Sequence, residues 1–393
     1  MVRARLPIVE ADLRQWRLIE AFQSALAGLP PPADLHPSFK DPRLRLLYGE
    51  YLSLFLFGLF NPVVKTMRAL CSASQLARVQ RDICGSSVSL GSFSAVQHLV
   101  DPAHLERIFA ALVKQVPGPR TADPRLAWQS WFARDSSLFA ALPRMAWALY
   151  GGGRVGYPNQ ALRLHLNFNV LEDKPALAQV TPGKVCERKA WQEQWEAGAG
   201  YIGDRYFSKN FRLFGQLEQS GCAYVLRLVE EATINVEEPI PLSPADRQAG
   251  VVRQAWATLG KGEARSVRLR VVWVEGKDTA LILVTNLSPE RLPAELVSML
   301  YRWRWQIECF FRWLKCLLGC RHWMAESQNG VTLQLYLALI ASVLLQLYLG
   351  RRPNKRMLEL LQLYQLGWAS LEELMAGLQR EHQREIQRQK NRR

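Results

Sequence analysis

The sequence has few of the features that mark disulfide-rich, zinc-binding or secreted proteins. Its 7 cysteines are scattered over 393 residues, are odd in number and form no Cys-x-x-Cys pair. This disfavours a disulfide framework and favours a reducing compartment. Cys316, Cys320 and His322 have the side chains of zinc ligands, but small thiols at helical spacing are commoner. The opening stretch MVRARLPIVEADLRQW acquires acids before any apolar core, so we expect no signal peptide and a cytoplasmic protein.

Acidic residues are scarce relative to basic ones. Lys and Arg total 50 against 35 Asp and Glu, which gives a formal net charge of +15. The chain is otherwise typical of a folded protein, because 49% of its residues are hydrophobic and 22% are charged. A folded protein this basic commonly binds a polyanion, most often nucleic acid. The alternatives are an anionic membrane surface and a merely basic exterior.

Long apolar stretches are equally scarce. The segment VTLQLYLALIASVLLQLYLG, Val331 to Gly350, has about the length of a membrane span. It contains Gln334 and Gln346, however, and no second segment of this kind accompanies it. We therefore expect a helix buried on all sides within a large domain, and no membrane association.

The first 118 residues predict an all-α N-terminal domain. Helices are expected over 9–32, ended by prolines, over 43–60, ended at Asn61-Pro62, and after Asp101 as a cap. Between them, a helix from Ser72 or Ser74 to Ile83, a turn at 85–87 and a helix from Ser89 or Ser92 fit a helix-turn-helix. Any helical hairpin has the same pattern, so DNA-end binding by this domain is one of two interpretations.

From residue 119 onwards the pattern predicts a mixed α/β domain. The segment ALRLHLNFNV alternates strictly and predicts a strand whose second face, from Arg163 to Asn169, is polar and exposed. It should form a hairpin with PALAQVT, and helices and strands then alternate up to residue 229. One of these strands, AGYIGDRYF, ends at Asp204. Residues 230–287 are β-rich and predict an insertion, and a long helix with Ser288 as its cap follows. The expected domains are thus 1–118, a core of 119–229 plus 288–352, the insertion, and C-terminal helices with a basic tail at 353–393.

The segment YRWRWQIECFFRWLK, Tyr301 to Lys315, lies in the second part of that core. It holds a single acid among several cations. On a helix, Tyr301, Arg304, Glu308 and Lys315 fall within about 60° of one another. Trp303, Ile307, Phe310 and Leu314 fall on the opposite side, with the spacing of a buried stripe. One interpretation is a surface ion-pair ladder of little energetic value. The other is a face that carries chemistry.

The spacing Y-(2)-R-(3)-E-(6)-K of those four residues resembles the signature of the DDE transposases of the bacterial insertion-sequence-four family. Two upstream acids resemble the family's other acids: Asp135 in WFARDSSLF, expected at a strand end, and Asp204 in GYIGDRYFS. The resemblance extends from about Asp135 to Arg352. Its loosest part is Asp135, because the preceding LAWQSWFAR is a poorly defined strand, and Asp123 is a weaker alternative.

The resemblance implies a ribonuclease H-like core in which Asp135, Asp204 and Glu308 bind two Mg²⁺ ions, with Mn²⁺ as a substitute. Carboxylates suit this role because Mg²⁺ prefers hard oxygen ligands. It also implies that Arg304, Lys315, Tyr301 and Arg205 bind DNA, although an ion pair with a neighbouring acid is an alternative for Arg205.

The implied activity is cut-and-paste transposition: cleavage at terminal inverted repeats and joining of 3′-OH ends to target DNA. The implied partners are double-stranded DNA and a second copy of the chain, in a bacterial cytoplasm at the nucleoid. Two other functions stay open, a retired transposase that only binds DNA and a metal-dependent nuclease without strand transfer.

Overall fold

The fold is known from a computed structural model. It describes residues 22–24, 26–28, 36–41, 46–118, 123–148, 160–192, 194–262, 266–276, 279–319 and 323–390. Most of the first predicted helix, and Cys320 and His322 of the zinc alternative, lie outside these residues.

The described chain is mixed α/β. Its helices are α1 Tyr48–Phe60, α2 Met67–Ala73, α3 Ala77–Val79, α4 Leu90–Leu99, α5 Pro102–Gln115, α6 Glu187–Gln192, α7 Arg212–Gln219, α8 Pro244–Gln248, α9 Ala294–Trp303, α10 Trp305–Leu317, α11 Gln328–Leu349, α12 Lys355–Gln365 and α13 Leu371–Lys390. Its strands are β1 Trp131–Ala140, β2 Ala161–Asn169, β3 Lys174–Pro182, β4 Gly200–Gly203, β5 Ala223–Arg227, β6 Ile234–Ile240, β7 Val251–Leu259, β8 Leu269–Val274 and β9 Leu281–Thr285.

Contacts divide the chain into two units. The first comprises Met1–Pro117, Phe139–Ala161 and Arg312–Arg393. The second comprises Gly118–Leu138 and Leu162–Phe311 and contains most of the sheet. The sheet has nine strands in the order β3-β2-β1-β4-β5-β9-β8-β7-β6.

Strand direction divides the sheet into parallel and antiparallel parts. β4 lies parallel to both β1 and β5. The strands predicted as a β insertion, β6 to β9, extend the same sheet by antiparallel pairing that starts where β9 pairs with β5. A buried cluster that includes Trp191, Tyr201 and Phe214 packs β4, β5, α6 and α7 together. In the strand order, the parallel strands β1, β4 and β5 lie inside the sheet and not at its edges. This is the usual position of parallel strands.

The predicted hairpin of β2 and β3 is confirmed, with antiparallel pairing from Leu162–Pro182 to Asn169–Lys174. The prediction that its polar face is exposed is wrong, because His165, Asn167 and Asn169 are buried. The cause is buried Arg134 of β1, which donates a hydrogen bond of 2.9 Å to Asn167 Oδ1. His165 pairs with Thr181 Oγ1 at 3.0 Å. These bonds satisfy only part of the buried face, because Arg134 Nε and Nη2 and His165 Nδ1 have no hydrogen-bond partner among the described residues.

In the first unit, several predicted helix boundaries are confirmed. α1 ends at Asn61, Ser89 Oγ caps α4, and an Asp101 carboxylate oxygen caps α5. Gly85, at φ +63°, makes the predicted turn before α4. The helix expected before that turn is instead α2, followed by α3 and a π-helical segment at Gln80–Cys84.

The apolar segment predicted as a core helix is α11. It is the one helix among the described residues that is long and apolar enough to cross a membrane, yet 89% of its most apolar window is buried within the protein. Trp313 Nε1 donates a hydrogen bond of 2.8 Å to Ser342 on this helix. Both observations fit a buried core helix.

The long helix predicted from Ser288 is wrong in two respects. The helix begins only at Ala294, after Pro293, and it is interrupted at Arg304 between α9 and α10. At this break Ile307 N donates to the Arg304 carbonyl, an i to i−3 bond that tightens the turn. The predicted buried stripe holds for Ile307, Phe310 and Leu314, which are fully buried.

Candidate active site

Asp204 lies directly after β4, as the sequence predicts. All four residues of β4 are buried. A Cβ atom at Gly203 would lie 2.8 Å from both Leu226 Cδ2 and Phe207 Cδ2, so only glycine lets β4 pack this closely beside Asp204. Asp204 Oδ1 accepts a hydrogen bond of 2.9 Å from Tyr206 N, which fixes the loop after the strand.

Asp135 lies in the middle of β1, so the expectation that it ends a strand is wrong. β1 pairs with β4 only up to Ala133–Ile202. Two residues further along both strands come Asp135 and Asp204 (133 + 2 and 202 + 2), on the same face of the sheet. Beyond Ala133, β1 continues as far as Ala140 without further pairing to β4, while β2 lies along its other edge. The parallel register therefore brings the two acids side by side.

Arg304 connects Asp135 to Glu308. Its Nη2 atom lies 2.5 Å from Glu308 Oε1, and its Nη1 atom lies 3.4 Å from Asp135 Oδ2. The Arg304 side chain is only 14% exposed. Burial lowers its pKa, but Tyr301, Asp135 and Glu308 outweigh that effect and raise it. The break between α9 and α10 thus places a fixed cation between two of the predicted acids.

Sequence reasoning missed Glu187, the first residue of α6. Its Oε2 atom lies 3.9 Å from Arg163 Nη1, which also donates a hydrogen bond of 2.9 Å to Ser136 Oγ beside Asp135. No signal in the sequence marks this residue, since an acid in the first turn of a helix is ordinary. Only the tertiary structure brings it to the site.

Burial and neighbouring acids raise the pKa of two carboxyl groups at this site. The pKa of Asp135 rises to about 7, first through burial and then through the charge of Glu187, while Arg304 opposes the shift. Burial also raises the pKa of Glu187, against the lowering effects of the Ser136 hydroxyl and of Arg163, and the charge of Asp204 adds to the rise. A buried carboxylate beside other carboxylates binds a proton more tightly than an isolated one does. A metal cation bound beside it would relieve the same repulsion.

These shifts predict a pH-dependent stability of the metal-free protein. The folded Asp135 carboxyl binds its proton more tightly than the unfolded one, whose pKa is 3.8, so its stabilising contribution is lost as pH rises from about 4 to about 7. We expect Asp135→Asn to gain thermal stability relative to the wild type across this window. Thermal unfolding in EDTA between pH 4 and pH 8 measures the difference, and a difference that is constant with pH contradicts the assignment.

The remaining predicted residues fall in different places. Tyr301 is half-buried, with its ring centroid 5.8 Å from the Arg304 guanidinium carbon. Arg205 is exposed and forms no ion pair with an acid in the described part of the chain, which leaves the ion-pair alternative without support. Lys315 belongs to the first unit, where its ammonium lies 5.2 Å from the centroid of Phe139.

The acids offer the hard oxygen ligands that Mg²⁺ prefers. As the side chains stand, no three His, Cys, Asp or Glu residues among those described are arranged to hold a metal ion. The Arg304 guanidinium occupies the position of a cation between Glu308 and Asp135. The carboxylate donor set therefore fits divalent cations once Arg304 has moved from between these two acids.

The chain matches the model of the family described as transposase DDE domain over residues 126–344. The matched segment contains Asp135, Asp204, Arg304 and Glu308, and it covers more than half of the chain.

Three curated proteins are similar in sequence. The chain is 28% identical over 193 residues to a putative transposase, y4zB, of Sinorhizobium fredii, covering 48% of this chain and 53% of that protein. It is 27% identical over 205 residues to the probable transposase for insertion sequence element IS5377 of Geobacillus stearothermophilus, covering 52% of each. It is 33% identical over 94 residues to the putative transposase for insertion sequence element IS4SA of Synechocystis, covering 23% of this chain and 28% of that one. The chain thus spans about half the length of the first two relatives.

Among solved structures, the piggyBac transposase synaptic complex with hairpin DNA aligns over 95% of this chain and 79% of that one. The TM-score is 0.45 at 10% sequence identity, a level that carries no conclusion about fold or function.

Proposed function

The chain belongs to the transposase DDE domain family, and from that premise we propose that it is a transposase that cleaves and joins DNA strands with divalent cations. The observation that carries the proposal is the adjacency of Asp135 and Asp204 at the parallel strands, with Glu308 joined to Asp135 through Arg304. We further propose that β1 to β5 form a ribonuclease H-like core and that the chain is of the insertion-sequence-four type.

In this mechanism, Asp135, Asp204 and Glu308 would hold Mg²⁺, or Mn²⁺ in its place. Two bound cations would supply activation of the attacking oxygen and stabilisation of the leaving oxygen at phosphorus. Asp135 lies in β1 and Asp204 directly after β4, and their carboxylates accept hydrogen bonds from the backbone N–H groups of Ser136 and Tyr206. Glu308 is held by a helix and now pairs with Arg304 at 2.5 Å. The chain's contribution is thus positioning and charge neutralisation, which dominate phosphoryl transfer.

The cations of the site have a second role in the proposal. Arg304 neutralises two acids in the free protein and becomes available to a DNA phosphate once those acids bind metal. A guanidinium suits this exchange because it binds carboxylate and phosphate with the same bidentate geometry. Tyr301, Arg205 and Lys315 are proposed to contact phosphates as well, as the family signature implies.

A cationic surface beside Asp204 supports DNA as the partner. Five exposed cations lie on α6, on α7 and in the segments next to them, and none forms an ion pair with an acid among the described residues: Lys184, Lys189, Arg205, Lys209 and Arg212. The Tyr206 ring joins this surface, with the Arg188 guanidinium at 5.3 Å and the Lys209 ammonium at 5.8 Å from its centroid. Unpaired cations of this kind bind phosphates and make affinity depend on salt.

We expect the double variant Lys209→Gln, Arg212→Gln to bind duplex DNA with a weaker salt dependence. If each cation neutralises one phosphate, the slope of log affinity against log salt falls in magnitude by about 1.8. The control is the double variant Lys261→Gln, Arg268→Gln, which removes the same amount of charge beside β7 and β8. Its slope should equal that of the wild type. Fluorescence anisotropy at several salt concentrations measures both slopes, and equal slopes in wild type and variant exclude this surface from DNA binding.

A plasmid carrying the matching terminal inverted repeats tests the function itself. With Mg²⁺ or Mn²⁺, cut-and-paste transposition predicts both cleaved ends and strand-transfer products. Binding without cleavage would instead identify a retired transposase, and cleavage without joining would identify a nuclease. The proposal includes a homodimer on paired DNA ends in the bacterial cytoplasm, so cleavage should increase more than linearly with protein concentration.

A further inference from the structure

Glu187 lies against the proposed metal site with one oxygen unsatisfied. Its side chain is only 12% exposed. The Oε1 atom is buried and accepts no hydrogen bond, whereas Oε2 faces Arg163 at 3.9 Å. A buried carboxylate oxygen without a partner loses its hydration and gains nothing in return. A cation bound at this position would remove that cost.

The surroundings of Glu187 show which residues it acts with. Arg163 Nη1 connects it to Ser136, the residue after Asp135, and Asp135 lies beside Asp204 in the parallel register. After burial, the Glu187 charge is the largest cause of the raised pKa of Asp135. Arg304 contacts Asp135 and Glu308, so its charge is already shared by two other acids.

We propose that Glu187 is a fourth carboxylate ligand of the divalent cations, on the side of the site formed by Asp135 and Asp204. The inference rests on the proposed function, because it assigns a further residue to the same metal site. The competing explanation is that Glu187 is only the structural partner of Arg163 and of the Ser136 hydroxyl. The Arg163 contact is too long, at 3.9 Å, for a hydrogen bond, and the buried Oε1 atom accepts none.

Mn²⁺ binding to the full chain tests this assignment without DNA or catalysis. Electron paramagnetic resonance of free Mn²⁺ gives the dissociation constant for wild type, Glu187→Gln and Glu187→Asp. We expect Glu187→Gln to weaken Mn²⁺ binding at least about tenfold, since the number of charged ligands sets affinity at such sites. Glu187→Asp keeps the charge but shortens the reach, so its affinity should fall between the two.

Glu238→Gln is the matched control, because Glu238 is 64% exposed on β6 and pairs with Arg268 at 2.7 Å. Its Mn²⁺ affinity should equal that of the wild type. Circular dichroism checks that each variant is folded. If Glu187→Gln does not fold, the Mn²⁺ affinity of Glu187→Asp tests the proposal in its place. An affinity weaker than that of the wild type supports the proposal, and an equal affinity overturns it.

The outcomes separate this inference from the proposed function. Wild-type protein that binds Mn²⁺ and cleaves DNA, together with a Glu187→Gln variant of equal Mn²⁺ affinity, overturns the role of Glu187 alone. Wild-type protein that neither binds Mn²⁺ nor cleaves DNA overturns the transposase mechanism and the inference with it. As a second readout, the Mg²⁺ concentration for half-maximal cleavage should rise about tenfold in Glu187→Gln.

Discussion

Glu308→Gln is expected to abolish DNA cleavage, lowering its rate by roughly a thousandfold or more, while DNA affinity changes little. The substitution keeps the size and shape of the side chain but removes the charge that binds a divalent cation and replaces one acceptor oxygen by an amide donor. Binding depends instead on cations that contact phosphates. Nicking of a labelled repeat-end duplex and anisotropy on the same duplex measure the two quantities separately.

Glu238→Gln, the same substitution at an exposed acid on β6, should cleave at the wild-type rate. Loss of both cleavage and DNA affinity in Glu308→Gln would point to a folding defect, which circular dichroism would reveal. A Glu308→Gln protein that is folded and cleaves at full rate would refute the assignment of Glu308 to metal binding.

Arg304→Ala is expected to destabilise the metal-free protein by about 1–3 kcal/mol, and Mg²⁺ should restore much of this loss. Without the guanidinium, Asp135 and Glu308 lose a shared partner at 3.4 Å and 2.5 Å. Divalent cations would take over its neutralising role. Cleavage should still fall by about a hundredfold, because a cation that holds a phosphate beside the reacting one is lost. Urea unfolding with EDTA and with Mg²⁺ gives the two free energies of unfolding.

Arg268→Ala is a close control for this effect. Arg268 also pairs with two acids, at 3.2 Å from Glu237 and 2.7 Å from Glu238, but its side chain is 51% exposed. Exposed pairs contribute little, so its loss should cost less than about 1 kcal/mol and show no Mg²⁺ dependence. If Mg²⁺ stabilises wild type and Arg304→Ala equally, Arg304 does not occupy the place of a cation.

The parts of the site that follow from local sequence were predictable. Asp204 ends a short buried strand, and both its position and the strand could be read from GYIGDRYFS. The buried stripe of Ile307, Phe310 and Leu314 follows from helical spacing, and these three residues are fully buried. Each of these features depends on neighbours only a few residues apart.

The parts that depend on tertiary structure were not predictable. The break at Arg304 turns one expected helix into α9 and α10, and the ion pairs of Arg304 cross from α10 to β1. The polar face of β2 is buried, and its Asn167 accepts a hydrogen bond from buried Arg134 of the adjacent strand. Glu187 of α6 reaches the site through Arg163 of β2, which in turn contacts Ser136 of β1. Single-sequence periodicity contains no information about such contacts.

The most direct test of the central claim is a crystal structure of the protein soaked with Mn²⁺, with anomalous scattering used to locate the ions. The account predicts Mn²⁺ peaks about 2.0–2.3 Å from carboxylate oxygens of Asp135, Asp204 and Glu308, with the Arg304 guanidinium displaced from between Asp135 and Glu308. An Arg304 still paired with both acids, and no anomalous peak beside them at saturating Mn²⁺, would contradict it.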